Sequence, residues 1–442
     1  MNVLGISEGF HDAGVCLLVN KRIHFASHSE RHSRIKNDRW SHSKQYPIIP
    51  ERKPHVVAYY EKPFCKNLRR LYAGQKWKWP KRSYDFYFSH HECHAAAGYY
   101  TAPFDDCNIL VIDAIGEWDT ISIWDNMRKI KSWRYPYSLG LLYSAITKRI
   151  GLKPNEDEYI TMGMSAFGEP IHNLEPLLWK NNHKGVGNIF PNARNEDLAA
   201  SVQALYERKL LELVKMCPKK NLIIMGGCAL NCVANSKING KNIWIMPSPG
   251  DAGSALGAAA LVFKHKLVWE NPYLGTTILQ NVPVSKVIQH LLARKICGIA
   301  NGRAEFGPRA LGNRSLLADP RSHNVKDIVN AIKQRQKFRP FAPAILEEYA
   351  EEYFEGPMNE YMQFVAKAKH DYSSVTHIDG TARVQVVKKN CISVIRTILE
   401  EWYNETGCPM LLNTSLNIKG EPMVDTWEDA KKFSGKYNVV VF

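Results

Sequence analysis
At 442 residues and 45% hydrophobic content, the chain is too long for one typical core, so two domains are expected, each burying its own. Charged residues make up 23% and no long low-complexity tract occurs, which excludes a disordered chain; the absence of a run of about twenty apolar residues excludes a transmembrane helix. The net charge of +15 points to an anionic partner. Met1 to Ile6 lacks a basic signal-peptide region, and ten cysteines scattered without a Cys-x-x-Cys pair fit a reducing cytosol, so a cytoplasmic protein is expected.

Residues 2–6 are apolar and β-like, and Ser7 to Gly14 is a tight polar loop carrying His11 and Asp12. Val15 to Val19, an Asn20–Lys21 turn and Ile23 to Ser27 continue as a hairpin. Such a glycine-bearing loop can wrap a phosphate with backbone N–H groups, and an ordinary hairpin reads the same way. Glu30 to Asp38 is a charged stretch in which Arg31, Arg34 and Lys36 either neutralise a phosphorylated substrate or form a solvated face. Residues 55–60 read as a strand. Between Lys62 and Ser83 lie Lys62, Lys66, Arg69, Arg70, Lys76, Lys78, Lys81 and Arg82, with no acid among them. Phe64, Tyr72, Trp77 and Trp79 are interleaved, so the stretch can hold phosphates and stack on bases. The alternative is a solvated basic loop anchored to the core by its tryptophans.

A helix is expected around Glu92 to Ala97. His90 and His94 then share one face, because positions i and i+4 do, and both imidazoles can reach one ion. Two carboxylates are candidates to complete a site: Asp113, after the apolar run Ile109–Ile112, and Asp251, before a small-residue helix. Two histidines with two carboxylates suit iron or manganese better than a thiolate set would. Leu110–Asp113 and Thr120–Trp124 form a strand–turn–strand with Gly116–Glu117–Trp118 at its tip. Helices are expected at Leu139–Ile150 and Leu198–Met216, and Glu158–Gly168 is expected to wrap the site. Leu222–Met225 is a buried strand running into Gly226, Gly227 and Asn231; Ile243–Met246 and the Gly250–Ala260 helix repeat that logic. Glycines between strand and helix let backbone approach a nucleotide phosphate, so the two crossings read as half of a nucleotide-binding α/β lobe pair.

Residues 264–283 lack a clear period and are taken as the junction. Val287–Ala293 reads as a helix and Ile296–Ala300 as a strand. Two blocks follow, Asn301–Ser315 and Lys333–Pro343, dense in Arg and Lys on turns punctuated by Gly and Pro. Arg is a permanently charged fork that grips phosphate bidentately, and Glu305 is the single acid in the two blocks, so they read as a polyanion cradle.

These residues carry a resemblance. Gly5–Ile6–Ser7 with His11–Asp12, Ser29–Glu30–Arg31, His90–His91 with His94–Ala95–Ala96, Gly116–Glu117–Trp118, Gly226–Gly227–Cys228–Ala229–Leu230–Asn231, Glu305–Arg314, Phe338–Pro343, Ala382–Gln385 and Leu411–Asn417 follow in the order of the NodU/CmcH/TobZ family of O-carbamoyltransferases. The resemblance spans nearly the whole chain. It implies an α/β fold: an actin/hexokinase-like domain over residues 1–268 and a YrdC-like α/β domain over 269–442. It also implies a reaction in which carbamoyl phosphate and ATP, with Mg2+, give carbamoyladenylate and pyrophosphate in the second domain, after loss of phosphate. The first domain would then transfer the carbamoyl group to an acceptor hydroxyl.

By motif, the resemblance makes His90, His94, Asp113 and Asp251 ligands of a metal, usually iron(II). It places Arg309, Lys333, Arg339, Arg383, Asn413 and Ser415 around carbamoyl phosphate and ATP, and His11 and Lys36 near the transfer site. His11 or Asp12 would serve as the base, because an alcohol is a weak nucleophile at neutral pH. Gly226, Gly227, Asn231 and Gly250 would approach nucleotide in the first domain. The chain departs from the family in being short between Gly168 and Leu198, and in having Gln336 where Glu and Ile160 where Lys is usual. The acceptor this reading favours is a hydroxymethylated pyrimidine in DNA or its nucleotide, held by Lys76, Trp77, Lys78, Trp79 and Lys81. The alternatives are a small-molecule hydroxyl on a sugar or antibiotic, and a nucleotide-binding regulator without transfer activity.

Overall fold
The computed structural model describes residues 1–41, 53–80, 83–322 and 324–442. Lys81 and Arg82 of the basic stretch lie outside the described residues. The chain forms two compact units: Met1–Ser29 with Asn37–Glu270, and Glu30–Lys36 with Asn271–Phe442.

The first unit contains two five-stranded sheets of the same topology. In one, β1 (Asn2–Ser7), β2 (Gly14–Val19) and β3 (Arg22–His28) run antiparallel, and β4 (Val56–Tyr59) and β5 (Phe86–Tyr87) continue parallel to β1 on its other side. In the other, β6 (Asn108–Ile112), β7 (Asp119–Asp125) and β8 (Arg128–Arg134) run antiparallel, and β9 (Asn221–Met225) and β10 (Asn242–Trp244) continue parallel to β6. The repeated order, third–second–first–fourth–fifth, makes this a pair of actin/hexokinase-like lobes. Asn20 and Lys21 both take positive φ, 48° and 70°, the geometry a two-residue hairpin turn needs to match strand twist.

Apart from α1 (Ser29–Ser33), which falls in the second unit from Glu30 on, the helices in order are α2 (Pro63–Tyr72), α3 (His90–Thr101), α4 (Leu139–Arg149), α5 (Glu158–Met164), α6 (Asn195–Lys215), α7 (Cys232–Asn235) and α8 (Asp251–Phe263). α8 packs on β1, β2 and β4, α3 packs on β6 and β9, and the two helices pack on each other. Small residues make these layers close. A Cβ at Gly257 of α8 would stand 1.8 Å from the carbonyl oxygen of Cys93 on α3, and a Cβ at Gly5 of β1 would stand 1.8 Å from that of Ala255 on α8. Bare backbone is therefore required at both positions.

The second unit has β11 (Tyr273–Ile278) paired with β13 (Gly302–Glu305), and a main sheet of β12 (Ile296–Ala300), β14 (Arg314–Ala318), β20 (Met410–Ser415), β15 (Ala342–Leu346) and β19 (Gln385–Val387), in that order. A small sheet joins β16 (Phe354–Glu355), β17 (Ala366–Ala368) and β18 (Thr381–Ala382). Helices α9 (Val284–Arg294) and α12 (Ile395–Thr406) pack together and cover the main sheet around the fully buried Trp402; α10 (Val325–Lys333), α11 (Ala350–Tyr353) and α13 (Trp427–Tyr437) complete the unit.

The charged stretch from Glu30 is solvated only in part: Arg34 and Lys36 are exposed and Arg31 is not. Arg31 is buried and donates to the carbonyls of Val424 and Gly307, and Arg34 donates to those of Met423 and Pro422. Carbonyl acceptors, invisible to charge counting, explain why the Arg31 guanidinium leaves water, while Arg34 makes its bonds from an exposed position. Among the described residues no helix is long and apolar enough to cross a membrane, and all ten cysteines are free thiols.

Candidate active site
Four side chains meet where α3, α8 and β6 come together. His90 and His94 lie one turn apart on α3, Asp113 follows β6, and Asp251 opens α8. One ligand atom from each falls within 4.8 Å of all the others, and all four residues are buried. His90 Nε2 stands 2.9 Å from Asp113 Oδ2, 3.1 Å from His94 Nε2 and 3.4 Å from Asp251 Oδ1. His94 Nε2 is also 3.4 Å from Asp251 Oδ1. The imidazole edges and carboxylate oxygens aim at one point with too few protons among them to satisfy every atom, which fits a cation. His94 Nδ1 lies 3.1 Å from Ser254 Oγ, so with Nδ1–H donating there, Nε2 presents its lone pair to that point. Asp113 is held in turn by a backbone N–H, that of Gly227, 3.2 Å from Oδ1.

Burial pulls the His90 imidazolium down, but Asp251 and Asp113 outweigh it and hold its pKa at about 9. Burial would raise Asp113, yet its hydrogen bond from His90 and the charges of His90, His94 and His91 pull it far below the usual carboxylate range. His91 is different. It faces Ser122 on β7, 2.8 Å from Nδ1, and burial with the charge of His90 pushes it down to about 3, so it is a neutral core residue.

His11 Nδ1 lies 3.1 Å from Asp12 Oδ2 on the β1–β2 loop. Burial lowers its pKa, but the Asp12 hydrogen bond and the charges of Asp12, Asp251 and Asp113 raise it to about 9, which places His11 in the field of the four-residue cluster. Glu158 on α5 lies in the field of His11, and burial raises its carboxyl. Lys36 belongs to the second unit, where it pairs with Glu30 at 2.9 Å.

Two residues take positioning roles that the sequence did not assign them. Glu117 accepts the backbone N–H groups of both His90 and Lys62, at 3.0 and 2.8 Å, so one carboxylate caps α3 and ties down the start of α2. Arg69, read from the sequence as part of a basic surface, is buried and donates to the carbonyl of Glu117, and Lys66 pairs with Glu61 at 2.6 Å. Trp77 and Trp79 do not anchor to the core; they are 37% and 57% exposed. The glycines at 226 and 227 lie beside the cluster, and Gly226 takes a φ of 93°. Asn231 is engaged by Gln203 and by the backbone of Ala234, and Gly250 caps α8.

In the second unit, Lys333 at the end of α10 donates to the carbonyl of Ser415, to Ser415 Oγ at 3.0 Å and to Asn417 Oδ1 at 2.7 Å. Burial pushes its pKa well below the usual lysine range, and the positive charges of Arg335, Arg339 and Lys36 add to that. Asn413 donates to the carbonyl of Ala310 and to Gln385, which ties the Arg309 loop to β19 and β20. Arg309, Arg339 and Arg383 are half-buried. The cradle is partly scaffold. Arg314 is fully buried and donates to carbonyls of Asp425, Asn301 and Thr276, and Glu305 accepts the N–H groups of Leu311, Asn313 and Arg314 through one oxygen. Arg335 stacks on Phe341, 3.7 Å from the ring centroid, and closes the 330–340 turn.

Residues 59–260 match the family model "Carbamoyltransferase N-terminus", and residues 288–441 match "Carbamoyltransferase C-terminus". The chain belongs to the carbamoyltransferase family. This carbamoyltransferase is 31% identical to the uncharacterized protein sll1178 of Synechocystis sp., over 97% of this chain and 93% of that one. It is 30% identical to the nodulation protein NolO of Bradyrhizobium diazoefficiens, over 77% of this chain and 75% of that one. It is 32% identical to the nodulation protein NolNO of Sinorhizobium fredii, over 78% of this chain and 61% of that one. Among solved structures, the activator of 2-hydroxyisocaproyl-CoA dehydratase from Clostridium difficile overlaps 60% of this chain and 95% of its own, at 16% identity and a TM-score of 0.41. HypF of T. kodakarensis overlaps 59% of this chain and 47% of its own, at 12% identity and a TM-score of 0.35.

Proposed function
We propose that in the second unit of this carbamoyltransferase water cleaves carbamoyl phosphate to carbamate and phosphate, and the carbamate oxygen attacks the α-phosphorus of ATP, giving carbamoyladenylate as pyrophosphate leaves. The carbamoyl group is then transferred to an acceptor hydroxyl in the first unit. The observation that carries the reading is the convergence of His90, His94, Asp113 and Asp251 in the same unit as the His11–Asp12 pair. A divalent ion on those four residues, iron(II) by the family resemblance, would polarise the carbamoyl carbonyl as a Lewis acid. Asp12 accepts the Nδ1–H of His11, and a cation neutralising Asp113 and Asp251, whose charges hold the His11 proton in metal-free protein, would free Nε2 to take the proton of the attacking alcohol. The alcohol oxygen bonds to the carbamoyl carbon, and the carbon–oxygen bond to AMP breaks. In the second unit, Lys333 with Arg309, Arg339 and Arg383 would grip the phosphates of carbamoyl phosphate and Mg2+-bound ATP, and Asn413 and Ser415 would fix the floor of that pocket.

The acceptor we assign is a hydroxyl on a polyanion, such as a hydroxymethylated pyrimidine in DNA or its nucleotide. Support comes from the net charge of +15 and from the basic, aromatic segment tied through Glu117 to the first turn of α3. The test supplies labelled carbamoyl phosphate and ATP, follows pyrophosphate release, and offers a panel of uncharged sugars, antibiotics, nucleotides and hydroxymethylated DNA. Label is expected on the nucleotides or DNA. Turnover of an uncharged alcohol alone would remove the polyanion, and pyrophosphate release at the parent rate by Arg383→Ala would remove the division of labour between the units.

A further inference from the structure
Phe64, Trp77 and Trp79 form one exposed aromatic cluster, while Tyr72 packs on Trp118 and Tyr135. Phe64 is 56% exposed and Tyr72 is 68% exposed on α2, although both are large and apolar. Trp77 touches Phe64 and Trp79 edge to face, with ring centroids 6.1 and 5.4 Å apart, and the two indoles stay 37% and 57% exposed. The stretch carrying the tryptophans is pinned. Asn67, fully buried on α2, spends both ends of its amide on the backbone of Lys78, donating to its carbonyl at 3.0 Å and accepting its N–H at 2.8 Å. Arg70 Nε donates to the carbonyl of Lys76 at 2.8 Å. Two indoles are thus held out to solvent by a buried polar clamp, which spends hydrogen bonds on exposure that apolar burial would oppose.

The charge around them has one sign. Lys66 and Arg69 are engaged beneath the surface, Lys78 lies over Trp40 and Arg70 bonds the Lys76 carbonyl; Lys62 and Lys76 are exposed, and no acid lies between Glu61 and Asp85 in the sequence. Exposed aromatic rings among cations match the two surfaces of an unpaired polynucleotide, its bases and its phosphates. Duplex bases are already stacked on each other and offer no free face, so a single strand fits better.

We infer that the Phe64–Trp79 surface is a binding platform for single-stranded nucleic acid, with Trp77 and Trp79 as stacking residues and Lys76 as a phosphate contact. The inference deepens the polyanion-acceptor reading and rests on it for its purpose: Glu117 holds the start of α2 and the first turn of α3 together, so a strand on the platform lies beside the helix that bears His90 and His94.

The test is fluorescence anisotropy of a labelled ten-thymidine strand with the full-length protein, at several salt concentrations. Stacking losses predict a roughly five- to hundredfold weaker Kd for Trp77→Ala and for Trp79→Ala. Lys76→Ala should lower the salt slope by about 0.7, the value for one released counterion on a single strand. Parental affinity in both tryptophan variants would overturn the platform, as would tighter binding of poly-glutamate than of the strand, which would make an acidic protein the occupant. The two readings fail separately. Tryptophan-dependent strand binding without carbamoylation of any hydroxymethylated strand or nucleotide sinks the acceptor and leaves the platform. Carbamoylation of a hydroxymethylated mononucleotide without strand binding does the reverse.

Discussion

Gly257→Ala tests how the metal cluster is held together. The added Cβ would lie 1.8 Å from the Cys93 carbonyl oxygen, 2.7 Å from its carbon and 3.0 Å from the Ala97 nitrogen, so every obstacle is helix backbone. Reaching even 3.0 Å from that oxygen requires α3 and α8 to part by about 1.2 Å. Overpacking of this kind costs about 1–3 kcal/mol, and backbone that cannot rotate away puts this case at the upper end. For a unit of this size about 3 kcal/mol corresponds to a Tm lower by roughly 6–12 °C. The effect on the site should be larger than on the fold. His94 follows Cys93, and Ser254 and Asp251 lie one and two turns before Gly257, so the ligands ride on the two helices being separated. Metal–ligand distances tolerate about 0.2 Å. The assay pairs calorimetry with elemental analysis of metal per chain. Gly435→Ala on α13, where nothing lies within 4 Å of the new Cβ, is the control and should stabilise by up to about 1 kcal/mol. Parental Tm and parental metal content in Gly257→Ala would refute the close α3–α8 packing and the cluster built on it.

Three further outcomes are expected. His94→Ala should lose bound metal and carbamoyl transfer while keeping pyrophosphate release; unchanged metal content by elemental analysis would count against the ligand assignment. Because Lys333 is crowded by Arg335, Arg339 and Lys36, inorganic phosphate at about a hundred times its Kd should stabilise the second unit by about 2.7 kcal/mol, or roughly 5–10 °C, and Lys333→Gln should abolish that shift in a thermal scan. The raised pKa of His11, about 9 in metal-free protein, means the folded state holds a proton the unfolded state releases above about 6.5. Its contribution to stability is then complete below that pH and lost as pH rises through about 9; Asp12→Asn should narrow the window, and an NMR titration placing His11 below 7 in metal-free protein would contradict the assignment.

Local pattern carried much of the first unit. The β1–β3 hairpins, the strand before Asp113, and the helices at Leu139 and Leu198 are legible because apolar period and turn residues act over a few neighbours. The i, i+4 spacing placed His90 and His94 on one face for the same reason, and motif order identified the family.

Other features depend on partners far along the chain. Sequence could nominate Asp113 and Asp251 but could not bring them to α3; packing of α8 against α3 through Gly257 did that, and it recruited Ser254 to orient His94. The fate of the basic residues was also decided in three dimensions. Arg31 and Arg314 count as surface charge in a composition, yet both are buried on backbone carbonyls, which every residue type offers and no motif marks. In the Lys62–Trp79 stretch the same physics sorted like from like: Arg69 found the carbonyl of Glu117 and went inside, while Asn67 took up the backbone of Lys78 and held Trp77 and Trp79 out. Residue type set what each side chain could bond; only the fold determined which long-range partner reached it.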